Sequence, residues 1–152
     1  MAKAAAAPGV RIRQGTAADN ELLYPIYKIL RPKDSVSKED FARLLGAVLE
    51  EHTELWIADD PAEAGKPIGF LTLRIGTTLH GRRSGTIEEL VVDPKSRRAG
   101  AGKALVMKAI DRARHAGCWS MELATYEDSP DNSGFYQKFG FKSSSKFYRL
   151  QI

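Results

Sequence analysis

Apolar residues recur along this chain with two different spacings, and the change from one spacing to the other predicts its secondary structure. Alternating positions, or short apolar runs bounded by turn residues, predict six strands, at residues 10–14, 54–59, 68–79, 86–93, 118–125 and 141–152. Apolar residues three and four positions apart predict four helices, at residues 16–30, 37–49, 100–116 and 132–139. The order β-α-α-β-β-β-α-β-α-β predicts an α/β (α+β) fold, in which a mixed sheet carries helices on its faces.

Cap and turn residues support these boundaries. The stretches "TAAD" at 16–19 and "SKED" at 37–40 are typical helix starts, because their hydroxyl and carboxylate groups satisfy the first free amides. Proline and glycine in residues 60–67, and glycine in residues 80–85, predict turns between strands. Gly117 predicts the end of the third helix.

Length and composition limit the class of protein. The 152 residues suit one domain, which we place at residues 10–152 after a flexible tail at residues 1–9. The longest apolar runs are far shorter than the roughly 20 residues of a membrane span, so no membrane partner is expected. The first ten residues are too short and too weakly apolar for a secretory signal. A single cysteine excludes an internal disulfide framework, which makes the cytoplasm the expected compartment.

The charge pattern favours a small anionic ligand. The net charge of +4 is too mild and too dispersed to indicate nucleic acid as a partner. Three scattered histidines and one cysteine show no metal-ligand spacing, so we expect no metal.

The stretch "RRAGAGKALV", residues 97–106, has the properties of a phosphate-binding segment. Its glycines let the backbone approach a ligand closely, and it opens a helix whose free amides and dipole favour an anion. A Walker loop would need glycine at 97 and Ser or Thr at 104, where the chain has Arg97 and Ala104. A dinucleotide fingerprint would need a third glycine where Leu105 stands. The pattern that is met is R-x-x-G-x-G, directly after an apolar strand ending "VVDP".

This pattern resembles the acetyl-CoA signature of the GNAT superfamily of N-acetyltransferases. The segment "GFYQKFGF", residues 134–141, is similar to the "FYxKxGF" of that family, and the predicted order of elements matches as well. The resemblance implies a mixed, mostly antiparallel twisted sheet with a central splay, flanked by about four helices. It also implies acetyl-CoA as co-substrate, direct transfer of the acetyl group to an amine, and a homodimer as one assembly that the family often adopts.

The resemblance carries the cofactor contacts onto particular residues. The pantetheine arm would bind as an extra strand along the backbone of Leu90, Val91 and Val92. The pyrophosphate would lie in the loop, whose expected contacts are Arg97, Arg98, Ala99, Gly100, Ala101, Gly102 and Lys103. Asn132 and Lys138 would touch the arm and the phosphates.

Three side chains are candidates for catalysis. Tyr136 resembles the tyrosine whose hydroxyl lies near the cofactor sulfur in the family, and it is the expected general acid. Two adjacent carboxylates, Glu88 and Glu89, are unusual on a central strand, where glutamate is disfavoured and successive side chains face opposite ways unless a bulge intervenes. We favour Glu88 as the base, acting through a water, with Glu89 next. Packing of Tyr136 among aromatic residues, and ion pairs of the two glutamates, are the corresponding structural interpretations.

The acceptor is not determined by the sequence. A primary amine of a small molecule is favoured, and the chain resembles polyamine, glucosamine-6-phosphate and aminoalkylphosphonate acetyltransferases in separate short motifs. Two alternatives stay open: an acetyltransferase acting on a lysine or N-terminal amine of a protein or peptide, and an acyl-CoA-binding module without catalysis.

Overall fold

The computed structural model describes residues 9–79, 82–125 and 130–152, without the side chains at positions 98, 130, 131 and 133. Most of the predicted tail, the first two residues of the turn at 80–85 and part of the predicted loop before the last helix lie outside the described residues. The chain divides into two compact units, residues 1–122 and residues 123–152, which are described in turn. No helix in the described ranges is long and apolar enough to cross a membrane.

Five strands form one sheet in the order of the sequence: β1 (Arg11–Gln14), β2 (Thr53–Asp60), β3 (Glu63–Thr77), β4 (Arg83–Val92) and β5 (Ser120–Leu123). The first four are paired antiparallel with their neighbours. At the start of β4 and β5 the amide of Trp119 donates a hydrogen bond to the carbonyl of Arg83, at 2.7 Å. The predicted α/β class with a mostly antiparallel sheet is therefore confirmed.

The described residues contain four α-helices, of which α1 (Asn20–Leu30), α2 (Lys38–Glu50) and α3 (Ala101–His115) belong to the first unit and α4 (Pro130–Gln137) to the second. Both predicted caps are formed. The Thr16 amide donates to the Asp19 carboxylate at 2.8 Å, ahead of a 3₁₀ turn at Ala17–Asp19. The Ser37 hydroxyl accepts from the Asp40 amide at 3.1 Å. The Ser37 bond satisfies an α2 amide that has no intrahelical acceptor, and α2 begins at Lys38, directly after the predicted cap. The first helix begins later than the sequence predicts, since residues 17–19 form the 3₁₀ turn and α1 starts at Asn20.

Apolar packing places α1 and α2 on one face of the sheet. The cluster comes from both helices and three strands, and its buried members are Leu23, Ile26, Phe41, Leu45, Leu55, Ile57, Phe70 and Val91. On α3 the buried side chains lie on one face of the helix and are Ala101, Leu105, Val106, Ala109 and Ala113. Each large apolar side chain buried in this way contributes roughly 1.5–3 kcal/mol. The alternation along β3 therefore fixes which side chains face α1 and α2, and Phe70 is one of them.

Glu54 on β2 links the sheet to α3. Its carboxylate accepts hydrogen bonds from the Arg112 guanidinium, one of them at 3.0 Å from Nε, and from the Trp56 indole at 3.0 Å. The pKa of Glu54 is lowered, because the hydrogen bond from Arg112 outweighs the opposing effect of burial. The ionised form of Glu54 is therefore the form that stabilises this contact.

Replacing Glu54 by glutamine should lower the free energy of unfolding by about 1 kcal/mol near neutral pH, because Arg112 is partly exposed and the pair is partly screened. A lowered folded-state pKa means that the contribution is present above the ordinary value of 4.5 and is lost as the pH falls through the folded-state value. Urea unfolding at about pH 7 and about pH 3 measures this difference. Glu63→Gln, which removes an exposed ion pair with Lys66, is the matched control and should have little effect. If Glu54→Gln lowers the free energy of unfolding equally at both pH values, the ionised carboxylate is not the form that stabilises the contact.

Two predictions were wrong. Residues 141–152 do not form the predicted last strand, and the exposed side chains there include Phe147, Tyr148, Leu150 and Ile152. Alternation indicates an extended preference, but a strand also needs a neighbouring edge to pair with, and the pattern contains no information on that partner. The predicted turn at 60–67 is shorter, because β3 already begins at Glu63 and the register shift beside Asp59 accommodates Pro67 within the strand.

Candidate active site

A β-bulge interrupts β4 at the acidic pair. Thr72 on β3 pairs with Glu89, and the next residue, Leu73, pairs with Ile87. Glu88 is therefore the extra residue of the bulge. The bulge thus lies at the two glutamates, where it alters the alternation of side chains along the strand.

The bulge gives the two carboxylates different partners. Glu88 is exposed and forms an ion pair with Arg74, whose Nε lies 2.7 Å from Oε1. Glu89 is half-buried, and both its carboxylate and its amide are hydrogen-bonded to the hydroxyl of Thr72. Thr72 and Arg74 are two positions apart and share the face of β3 on which Phe70 contacts the helix cluster. The opposite orientation expected of neighbours in a regular strand is therefore not seen here.

After the bulge, β4 offers backbone groups on the side away from β3. The Asp93 amide donates to the Ile68 carbonyl at 2.8 Å. Because hydrogen-bonded positions alternate in an antiparallel pair, the backbone groups of Leu90 and Val92 point to the edge of β4 opposite β3. Val91, between them, has its side chain in the core at 6% exposure. This edge is the one along which the sequence places the pantetheine arm.

The glycine loop follows β4 directly. A 3₁₀ helix, Pro94–Ala99, begins with the Asp93 carboxylate accepting from the Lys95 amide at 3.0 Å. Gly100 then has φ 78°, a left-handed conformation that favours glycine, and α3 begins at Ala101. A Cβ on Gly100 would meet no atom within 4 Å, so the requirement for glycine here is conformational rather than steric.

This loop presents donors and positive charge to solvent. The first amides of α3 have no intrahelical acceptor, and the helix dipole is positive at this end. Arg97 and Lys103 have exposed side chains on either side of Gly100. Gly102 is half-buried, and Ala101 anchors the helix start in the core at 0% exposure. Free amides with flanking cations fit a pyrophosphate, which is the group that the sequence analysis assigns to this loop.

Tyr136 lies on α4, in the second unit. Its ring is half-buried and makes edge contacts with Phe135 and Phe141, with ring centroids 5.1 and 5.9 Å apart. Burial raises the pKa of Tyr136 above its ordinary value of 10.0. The phenol is therefore protonated at neutral pH and can act as a proton donor. Asn132, on the same helix, and Lys138, just after it, are exposed.

The described residues of the first unit include the linings of a pocket and of a larger groove, which lie at opposite ends of the sheet. A pocket of about 220 Å³ beside the glycine loop includes Ala99 and Lys95 in its lining. A groove of about 820 Å³ at the other end is lined by residues including His52, Arg83 and Arg112. The larger groove contains none of the predicted site residues.

Thr72 and Arg74, the partners of the acidic pair, were not predicted from the sequence. Thr72 and Arg74 are polar residues within the apolar run 68–79, and Thr72 is only 5% exposed. Two polar residues at alternate positions of a buried strand were the available signal, because a buried hydroxyl needs a hydrogen-bond partner.

The family model described as the acetyltransferase (GNAT) family matches residues 20–141. The chain belongs to this family. The range that the GNAT model matches includes the acidic bulge, the glycine loop and α4. Except for the last strand, the order of strands and helices agrees with the family fold that the sequence predicted.

Individual acetyltransferases are also similar to this chain, in sequence and in structure. A glucosamine 6-phosphate N-acetyltransferase of Trypanosoma brucei brucei is 39% identical over 90 residues, which cover 58% of this chain and 59% of that protein. The alignment thus spans about three-fifths of the length of this relative. A probable glucosamine 6-phosphate N-acetyltransferase 2 of Oryza sativa subsp. japonica is 30% identical over 139 residues, 87% of this chain and 81% of that protein. The crystal structure of a Trypanosoma brucei acetyltransferase superposes with a TM-score of 0.78 at 27% identity, covering 94% of this chain and 99% of that one.

Proposed function

We propose that this protein is an acetyl-CoA-dependent N-acetyltransferase that transfers the acetyl group directly to a primary amine of a small molecule. One observation carries the proposal: a strand with an acidic bulge leads straight into a glycine loop and the start of α3. The strand supplies carboxylates beside a backbone edge, and the loop supplies donors for an anion. Both parts are what transfer from a coenzyme A thioester to an amine requires.

Coenzyme A would be held at three places on the chain. The amides from Arg98 to Lys103, with the Arg97 side chain, would hold the pyrophosphate. The outward-facing backbone groups of Leu90 and Val92 on β4 would hold the pantetheine arm, whereas the backbone groups of Val91, also predicted for this contact, face β3. Asn132 and Lys138, both exposed at α4, would add contacts to the arm and the phosphates. When bound, acetyl-CoA supplies a thioester whose acetyl group can pass to an amine.

The reaction needs a base that takes a proton from the amine and an acid that gives a proton to the sulfur, and the chain has candidates for both. An alkylamine has a pKa near 10, so at neutral pH a base must remove a proton before the nitrogen can attack. Glu88 or Glu89 serves as that base, directly or through a water. Tyr136 is protonated at neutral pH and supplies the proton that the departing sulfur needs.

A phosphorylated amino sugar is the acceptor we favour. The two curated relatives described above carry the name glucosamine 6-phosphate N-acetyltransferase. The net charge of +4 suits an anionic acceptor better than a polycation such as a polyamine. We also propose that residues 10–152 act as one domain in the cytoplasm, with the homodimer as an assembly to test by sedimentation.

A thiol-release screen with acetyl-CoA tests the proposal. The panel holds polyamines, amino sugars and their phosphates, aminophosphonates, amino acids and peptides. Release with a small amine, strongest with glucosamine 6-phosphate, is the expected result. Release with peptides alone would establish the protein-acetyltransferase alternative, and acetyl-CoA binding without release across the panel would establish the non-catalytic module.

A further inference from the structure

Thr72 is a buried hydroxyl whose two hydrogen bonds both go to one residue. It accepts from the Glu89 amide at 3.0 Å and donates to Oε2 of the Glu89 carboxylate. The hydrogen bond from the Glu89 amide to the Thr72 hydroxyl forms because the bulge at Glu88 interrupts the regular backbone hydrogen bonds between β3 and β4. The side chain of Glu89 is thereby tied to the backbone of its own residue through a single hydroxyl.

The same bulge places the carboxylate of Glu88 against Arg74, which leaves Glu88 less suited than Glu89 to act as the base. Oε1 of Glu88 accepts a hydrogen bond from Nε of Arg74 at 2.7 Å, and Nη2 of the same guanidinium lies 2.5 Å from it in the ion pair, with both side chains extending toward solvent. By contrast, Oε1 of Glu89 receives no hydrogen bond from the part of the chain that the structure describes. The two neighbouring carboxylates are therefore distinguished: one is neutralised by an arginine, and the other keeps a free oxygen.

The position of Glu89 along β4 suits the reacting end of the donor. A strand rises about 3.3 Å per residue, so Glu89 lies about 10 Å back along β4 from Val92. A cofactor arm that starts at the glycine loop and follows β4 reaches the bulge before it reaches the start of the strand.

We propose that Glu89 accepts the proton of the acceptor amine and that Thr72 is the positioning residue that holds its carboxylate for this step. The inference rests on the proposed function. The proton passes from the nitrogen to Oε1 of Glu89, directly or through a water. The neutral nitrogen then forms the carbon–nitrogen bond as the carbon–sulfur bond breaks, and the sulfur takes the Tyr136 proton. The second proton that the nitrogen loses returns to the Tyr136 oxygen through solvent, and Glu89 releases the first proton to solvent, so both side chains regain their starting protonation states. Without Thr72, the carboxylate would sample other rotamers, and fewer encounters would have the productive geometry.

The test is a mutant cycle assayed with acetyl-CoA and glucosamine 6-phosphate, or with the best acceptor of the screen. Thr72→Val should lower kcat about fivefold with the KM for acetyl-CoA unchanged, which corresponds to one lost hydrogen bond. Thr72→Ser keeps the hydroxyl and should restore kcat. In a Glu89→Gln background, Thr72→Val should have no further effect, because it acts through the carboxylate.

Thr86→Val is the matched control, since Thr86 pairs with Arg74 across the same two strands. Thermal melts check the fold, and Thr72→Cys replaces Thr72→Val if the latter does not fold. The inference is overturned if Thr72→Val matches Thr86→Val, or if it lowers kcat equally with and without Glu89. A wild-type protein that releases no thiol with any amine would instead refute the proposed function, so the two failures are distinguishable.

Discussion

Replacing Tyr136 by phenylalanine should lower kcat at least about tenfold while acetyl-CoA still binds, because general-acid assistance to the departing sulfur is lost. The phenylalanine ring preserves the edge contacts with Phe135 and Phe141, so the fold of this unit should be kept. Since burial raises the pKa of Tyr136 above 10.0, its proton is present throughout the neutral range. Activity that depends on this proton should therefore not decline below about pH 10.

Steady-state thiol release at saturating acetyl-CoA, with calorimetric titration of the cofactor, measures the Tyr136→Phe effect. Tyr148→Phe is the matched control, because Tyr148 is 83% exposed in the C-terminal segment. A kcat for Tyr136→Phe equal to that of the control would remove Tyr136 from the mechanism.

The second large effect is expected at Gly100. Gly100→Ala should raise the Kd for coenzyme A at least about tenfold, because alanine resists the left-handed conformation and the loop amides would lose their common direction. The chain offers a close control at the other end of α3. Gly117 has φ 73°, close to the 78° of Gly100, and in both cases a Cβ would meet no atom within 4 Å.

Gly100→Ala and Gly117→Ala should therefore lose similar stability, about 1–2 kcal/mol. Only the Gly100 variant should lose affinity for coenzyme A, measured by calorimetry. If the two variants bind coenzyme A equally well, the loop does not hold the pyrophosphate.

Local patterns were sufficient to predict much of this fold. Helices α2 and α3 follow from apolar spacing and from caps such as Ser37, and these signals lie within a few residues of each other. The glycine loop is local in the same way, because Gly100 and the helix start adjoin in sequence.

Features that depend on pairing could not be predicted. The bulge at Glu88 exists only in the register between β3 and β4, which joins residues 17 positions apart, as in the Thr72–Glu89 contact. The sequence therefore located the acidic pair but favoured Glu88, whereas the contacts with Arg74 and Thr72 lead us to propose Glu89. The absent last strand has the same cause, since alternation in residues 141–152 does not specify a partner.

The central claim is direct transfer of an acetyl group from acetyl-CoA to a small primary amine. The most direct measurement uses acetyl-CoA labelled with ¹³C in the acetyl group, together with glucosamine 6-phosphate, and follows the label by mass spectrometry and thiol release in parallel. We expect one labelled N-acetyl product for each thiol released, with no acetylated protein accumulating. Thiol release without a labelled amide, or label that appears on the protein before it appears in the product, would contradict the account.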